Sequence, residues 1–392
     1  MSQSSSKPLL FTPIKIRDIT LKNRVVISPM ATYSAVDGIA NDWHLGHIAR
    51  LALGGASSVM VEATAVTEQG RITNGDVGLW SAVHVPPLKR ITAFMKSNGV
   101  VPSIQIGHAG RKGAMQRPWH GNGAITPADI ARGDKTWPIV GPTAEPMADG
   151  HIAPSALSVS DMKSLAGHWA DAAKRAVEAG FEFIEIHNAH GYLIHQFLSP
   201  LSNKRNDAYG GDFAGRTRFP LEVAAAVRGA VPKGMPVFLR VSAVDGVDGG
   251  WSMDDTVAYA RELKRIGIDL IDCSSGGISG SATTARVKRT WGFQVPYASR
   301  VRKEAGLMSM AVGLILDPHH AEHILQQGDA DLIAIGREAL VNPSWPQMAE
   351  IALGRKSSDA MDDWPVAYGW WLKHRERSLE QVRTDVGDKW RG

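Results

Sequence analysis

Short apolar runs rich in Val, Ile and Leu alternate along this chain with longer stretches in which apolar residues recur at helical spacing. The run Arg24-Val25-Val26-Ile27-Ser28-Pro29-Met30 predicts a first strand stopped by proline, followed by a helix at about 44–52. A second strand is predicted at 57–62, a helix at 86–97 and a third strand at 101–106. The rhythm then breaks. Residues 107–160 are rich in Gly, Pro and Trp with little helical periodicity, which reads as a long insertion containing a short hairpin. Ser160 and Asp161 offer N-caps for a helix running to Ala179. From there the alternation is regular. Strands are predicted at 181–187, 236–241, 269–273, 308–312 and 331–335, and helices at 216–230, 253–266, 296–304, 318–327 and 343–353.

Eight strands alternating with helices predict a (β/α)8 TIM barrel with one insertion after strand 3. A doubly wound sheet is the alternative, but no G-x-G-x-x-G follows any strand. The expected organisation is a single domain over residues 1–392, with the barrel at about 10–354, the insertion at about 107–160 and a tail at about 355–392.

Composition narrows the class. The chain is 44% hydrophobic and 21% charged, the balance of a soluble globular protein. A formal net charge of +4 with scattered basic residues argues against a nucleic-acid partner. The single cysteine, Cys273, excludes an intrachain disulfide and a cysteine-ligated iron–sulfur cluster. It falls in an apolar strand, where a core thiol is expected. The polar Met1–Lys7 stretch is no signal peptide, and no apolar run reaches the ~20 residues of a membrane span. A cytoplasmic location is expected.

In a barrel of this kind the chemistry stands at the carboxyl ends of the strands. Strand 4 ends in His187-Asn188-Ala189-His190-Gly191-Tyr192, which offers imidazoles to bind an oxyanion and a phenol to deliver a proton. A metal pair is the competing reading of His187 and His190, but zinc needs three or four ligands and no third is indicated nearby. Strands 7 and 8 end in Gly313 and in Gly336-Arg337, glycines that let backbone N–H groups approach an anion and a guanidinium that completes a phosphate clamp. Gln105 and Arg240, at the ends of strands 3 and 5, can meet a heterocycle's edge. No nucleophile–base pair dominates these exits, so a cofactor is expected to carry the chemistry. His108 and Arg111 are expected to shape the strand 3 loop.

These residues bring a family into view. Leu21-Lys22-Asn23-Arg24 entering Ser28-Pro29-Met30, Gln105-Ile106-Gly107-His108-Ala109-Gly110-Arg111, the His187–Leu193 motif, Ser199-Pro200-Leu201-Ser202-Asn203 and Gly336-Arg337-Glu338 occur in order. In this the chain resembles the Old Yellow Enzyme family of FMN-dependent ene-reductases, and within it the bacterial xenobiotic-reductase-like branch. The resemblance implies non-covalent FMN, with Ser28, Pro29, Met30, Ala31, Ala63 and Gln105 around the ring, Arg240 at its N1 edge, and Gly313, Gly336 and Arg337 at the phosphate. It implies NAD(P)H as hydride donor and an electrophilic alkene or nitro compound as acceptor. His187 and His190 would anchor the substrate oxygen, Tyr192 would donate the proton, and Tyr33 would line the site. It also implies a homodimer or homotetramer in which Trp370 or Trp371 reaches a neighbouring site. One departure stands out: the branch usually has a cysteine against the flavin where this chain has Ala31. A related flavoenzyme reaction, such as nitrate ester reduction, and a non-catalytic FMN-binding barrel are the alternatives.

Overall fold

The computed structural model describes residues 7–278 and 287–386, so the first residues of the polar N-terminal stretch and the end of the tail discussed above lie outside the described residues. The strands β1 (Val25–Ile27), β2 (Ser58–Ala65), β3 (Val101–Gly107), β4 (Phe183–Asn188), β5 (Val237–Ser242), β6 (Leu270–Ser274), β7 (Met308–Ala311) and β8 (Leu332–Ile335) form a closed barrel. Every neighbouring pair is parallel, and β8 closes on β1. The strands are buried on both faces, which is why they read as continuous apolar runs rather than as alternation. Outside them pack helices that include Asp42–Ala52, Val85–Ser97, Val159–Glu178, Phe213–Ala230 and Met253–Ile266. The TIM barrel is therefore the fold of this chain.

Two apolar cores support it. The larger lies between strands and helices and includes Trp169, Phe197 and Phe219. The smaller fills the barrel's lower interior with Val26, Met60, Phe183, Phe238, Leu270, Met310 and Leu332. An antiparallel hairpin, Ile14–Ile16 with Ile19–Leu21, adds Ile16 and Leu21 to this inner core. Its strands of three residues each are too short to stand out by periodicity.

Local differences from the expected elements have local causes. The N-cap of Val159–Glu178 is Ser158, whose Oγ accepts from the Asp161 N–H while the Asp161 carboxylate accepts in return, so Asp161 is the third helical residue rather than the cap. In the 107–160 insertion the expected hairpin is reduced to one antiparallel bridge, Met115 with Ala124. Val140–Gly141 and Ser155–Ala156 pair parallel instead. The tail carries a helix, Val366–Val386, which its irregular apolar pattern did not announce.

Candidate functional site

The strand β4 exit is held by backbone strain that its neighbours over-determine. His190 has φ of 60°, a left-handed conformation uncommon outside glycine, and Gly191 follows at φ 74°. The His190 N–H donates to Ser242 Oγ at 2.9 Å, its carbonyl accepts from Lys112 Nζ at 2.8 Å, and its Nε2 lies 2.7 Å from Ser274 Oγ. Thus β5, β6 and the loop after β3 all pin one residue. Behind the turn, the Gly191 N–H donates to His195 Nδ1, and His195 Nε2 pairs with Asp245 at 2.8 Å in full burial. Tyr192 then begins the helix Leu193–Leu198 as its N-cap.

The turn brings three rings together. His187 meets His190 at a centroid separation of 5.1 Å and Tyr192 at 4.9 Å, both edge to face. His187 Nδ1 accepts the Ala189 N–H, which assigns the hydrogen of the neutral ring to Nε2. Burial, then the Arg240 charge, holds both imidazoles well below the usual histidine range. Burial, then Tyr33 and Asp76, pushes the Tyr192 phenol well up. At neutral pH the cluster therefore offers uncharged imidazoles and a protonated phenol, which can bind a developing oxyanion and give up a proton.

Beside His190 opens a cavity of about 280 Å³, walled by the exits of β1 and β5 to β8. Ser28, Pro29, Met30, Arg240, Gly313, Gly336 and Arg337, expected from the sequence at a cofactor, all line it. Ser274, at the exit of strand 6, lines the same wall, and so do Arg289 and Gln294, which sequence reasoning missed. Arg289 and Gln294 sit beyond β6 in a stretch without a motif. A smaller hollow joins Ala63, Asp76, His187 and Tyr192. Gln105 is buried in the barrel with its amide donating to Glu185 Oε1 at 2.7 Å. His108 and Arg111 are buried in loop contacts: His108 Nδ1 accepts the Gly110 N–H, and Arg111 donates to the Ile278 carbonyl.

Other expected residues lie further out. Tyr33 is half-buried at φ 50°, with its ring edge-on to Trp119 at 6.1 Å. Ala31 is half-buried and lines neither cavity. The next residue, Thr32, donates N–H and Oγ1 to Glu62 at 2.7 and 2.6 Å. Burial leaves the Glu62 carboxyl raised to about 7 despite those bonds. Trp370 and Trp371 stand exposed on the helix Val366–Val386 and line neither cavity of their own chain.

A closed parallel barrel whose cavity is lined by two glycine exits and Arg337, beside neutral imidazoles and a phenol, has the form of a cofactor-dependent barrel enzyme. The chain belongs to the NADH:flavin oxidoreductase / NADH oxidase family, whose model matches residues 9–356. It is 42% identical over 342 residues to the NADPH dehydrogenase of Bacillus subtilis (strain 168), covering 87% of this chain and 94% of the relative. It is 41% identical over 366 residues to the NADPH dehydrogenase of Geobacillus thermodenitrificans (strain NG80-2), covering 92% and 98%. In fold it is similar to the old yellow enzyme homologue from Zymomonas mobilis, with a TM-score of 0.71 at 23% identity over 91% of this chain and 96% of that one. It is an oxidoreductase that uses FMN with NAD(P)H as reductant.

The residues present fit that cofactor. Ser28 Oγ is buried without a hydrogen-bond partner, an orphan that a bound polar group would satisfy. Gly313 has φ +114°, and a Cβ there would lie 2.7 Å from the Gln294 carboxamide, so only glycine leaves the backbone open to an anion. Arg289 and Arg337 add positive charge to the same wall. Among the described residues no group of three His, Cys, Asp or Glu is placed to hold a metal ion. None of their helices is long and apolar enough to cross a membrane.

Proposed function

We propose that this oxidoreductase is an ene-reductase of the xenobiotic-reductase-like branch, reducing the activated C=C bond of α,β-unsaturated carbonyl or nitro compounds. Bound FMN supplies the hydride, drawn from NAD(P)H. Ser28, Pro29, Met30, Ala31, Ala63 and Gln105 would surround its ring, Arg240 would meet its negative edge, and Gly313, Gly336 and Arg337 would hold its phosphate. His187 and His190 bind the substrate oxygen as uncharged hydrogen-bond donors. Charge withdrawn toward them leaves the far alkene carbon electron-poor. Tyr192 then protonates the other carbon, and Tyr33 packs against the substrate. Trp370 or Trp371 enters a neighbouring subunit's site in a homodimer or homotetramer, and residues 1–392 act as one cytoplasmic FMN-binding domain. Ala31 stands where the branch has cysteine, so a ring contact at that position would be made without a thiol.

The observation that carries this reading is the cluster of buried His187 and Tyr192 with half-buried His190, neutral imidazoles against a protonated phenol beside the cavity. The purified protein should be yellow, bleach with NADPH under anaerobic conditions and recolour with cyclohexenone or a nitroalkene. In stopped flow, Tyr192→Phe should slow recolouring by about 10²–10⁴-fold, the range of general acid catalysis, and leave bleaching near the wild-type rate. Equal slowing of both half-reactions would remove Tyr192 as proton donor.

A further inference from the structure

Between the apolar inner core and the strand exits lies a polar layer that the mechanism above does not use. Strand register puts Gln105 of β3 opposite Glu185 of β4, and Asp272 of β6 opposite Arg240 of β5, which in turn pairs with His187. Glu185 and Asp272 are both 0% exposed. The two side chains act on each other across this layer, and Arg240 Nε lies 3.3 Å from Asp272 Oδ2. The charged groups facing Glu185 are Asp272 and Arg240, with Gln105 as a neutral donor. Those facing Asp272 are Arg240 and Glu185.

Two carboxylates and one guanidinium in a dry layer would carry a net negative charge if all were ionised, and like charges in contact resist that. The hydrogen-bond inventory points the same way. Glu185 Oε2 and both Asp272 oxygens are buried with no donor from the protein. Two acceptors facing each other need a proton between them. Arg240 faces Asp272, which favours ionisation there, whereas Glu185 receives only the amide of Gln105.

We propose that Glu185 is a neutral carboxylic acid donating its proton to Asp272, so that Arg240 is balanced by one carboxylate rather than two. Glu185 is then a positioning residue: it holds Gln105 on one side and Asp272 on the other, and fixes the charge that Arg240 presents to the cofactor. Burial, then Asp272, raises the Glu185 carboxyl well above the usual range, in accord with this assignment.

The inference rests on the FMN site proposed above, and two measurements separate the two. The first is infrared spectroscopy of the holoenzyme at pH 9, where Glu62 and Asp76, raised to about 7 and about 6, are ionised. A protonated-carboxyl carbonyl band should persist in the wild type and vanish in Glu185→Gln. Its absence from the wild type overturns the proposal whether or not the cofactor lies where we place it, and needs no variant to fold. The second is the flavin midpoint potential. Glu185→Gln replaces one neutral group with another and should leave it unchanged. Glu185→Gln/Asp272→Asn leaves Arg240 unbalanced and should favour the reduced flavin by about tenfold or more, which is about 30 mV for a two-electron couple. A rise already present in Glu185→Gln would mean Glu185 is ionised, and no rise in the double variant would mean the layer's charge does not reach the cofactor. Either result overturns the proposal. A protein that takes up no FMN would instead remove the site reading and leave the infrared result standing.

Discussion

Lys112 shows how much a single buried residue can decide. Its ammonium, 1% exposed, donates to the carbonyls of His190 and Gly277 and so ties the β4 exit to the β6 exit. It also lies 5.9 Å from the Tyr192 ring centroid. Burial, then the neighbouring Arg111 charge, lowers this amine from its usual 10.5 to about 7. Between those values the unfolded chain binds the proton and the folded chain does not, so stability gained from this group rises with pH and is lost as pH falls toward 7. Lys112→Met leaves two buried carbonyls without their donor, a loss of about 1–3 kcal/mol per unsatisfied group. Denaturant unfolding should show the variant destabilised, and more so at pH 9 than at pH 7. A difference that does not grow with pH would mean the amine stays charged throughout. Nothing in the sequence singles out Lys112, because its partners lie on loops far away along the chain. His187, His190 and Tyr192 were legible because they share one short turn with a glycine at the position that needs positive φ.

At the scale of the element, the barrel turns local order into a site. Parallel strands all deliver their exits to one end, so Gly313 and Gly336-Arg337, separate in sequence, become adjacent walls of one cavity. Arg337 is exposed at that wall and free to engage a phosphate dianion. Charge-assisted hydrogen bonds of about 1.5–3 kcal/mol make Arg337→Ala weaken FMN binding by about 10–100-fold. Fluorescence titration of the apoprotein with FMN at two salt concentrations would measure it, and an unchanged affinity would move the phosphate elsewhere. Gly313→Ala should weaken binding too, since its Cβ would displace Gln294 and strain a φ of +114°. Reading strand exits located this wall in advance. It did not locate Arg289 and Gln294, which follow β6 in the sequence without a motif and line the same cavity.

At the scale of the whole molecule, barrel closure and the tail carry different kinds of information. The helix Val366–Val386 leaves Trp370 54% and Trp371 69% exposed, packed edge to face on each other at 4.7 Å. Large exposed aromatics rimmed by charge mark an interaction surface. If they enter a neighbouring site as proposed, Trp370→Ala/Trp371→Ala should lower the sedimentation coefficient and raise KM for the alkene several-fold. A variant matching the wild type in both would leave the tail outside the site.

Hydrophobic periodicity by itself determined the alternation of strands and helices, the barrel and the strand exits, because burial imposes a local rhythm that each element must obey. The short His-Asn-Ala-His-Gly-Tyr turn and the glycine–arginine exit were likewise written locally. Only the tertiary structure decided which polar residues share a layer. Glu185 and Asp272 look like interruptions in two apolar strands, and Lys112 like a loop cation. Their partners are set by barrel register and closure, and the water excluded there raises the Glu185 and Asp272 carboxyls and lowers the Lys112 amine.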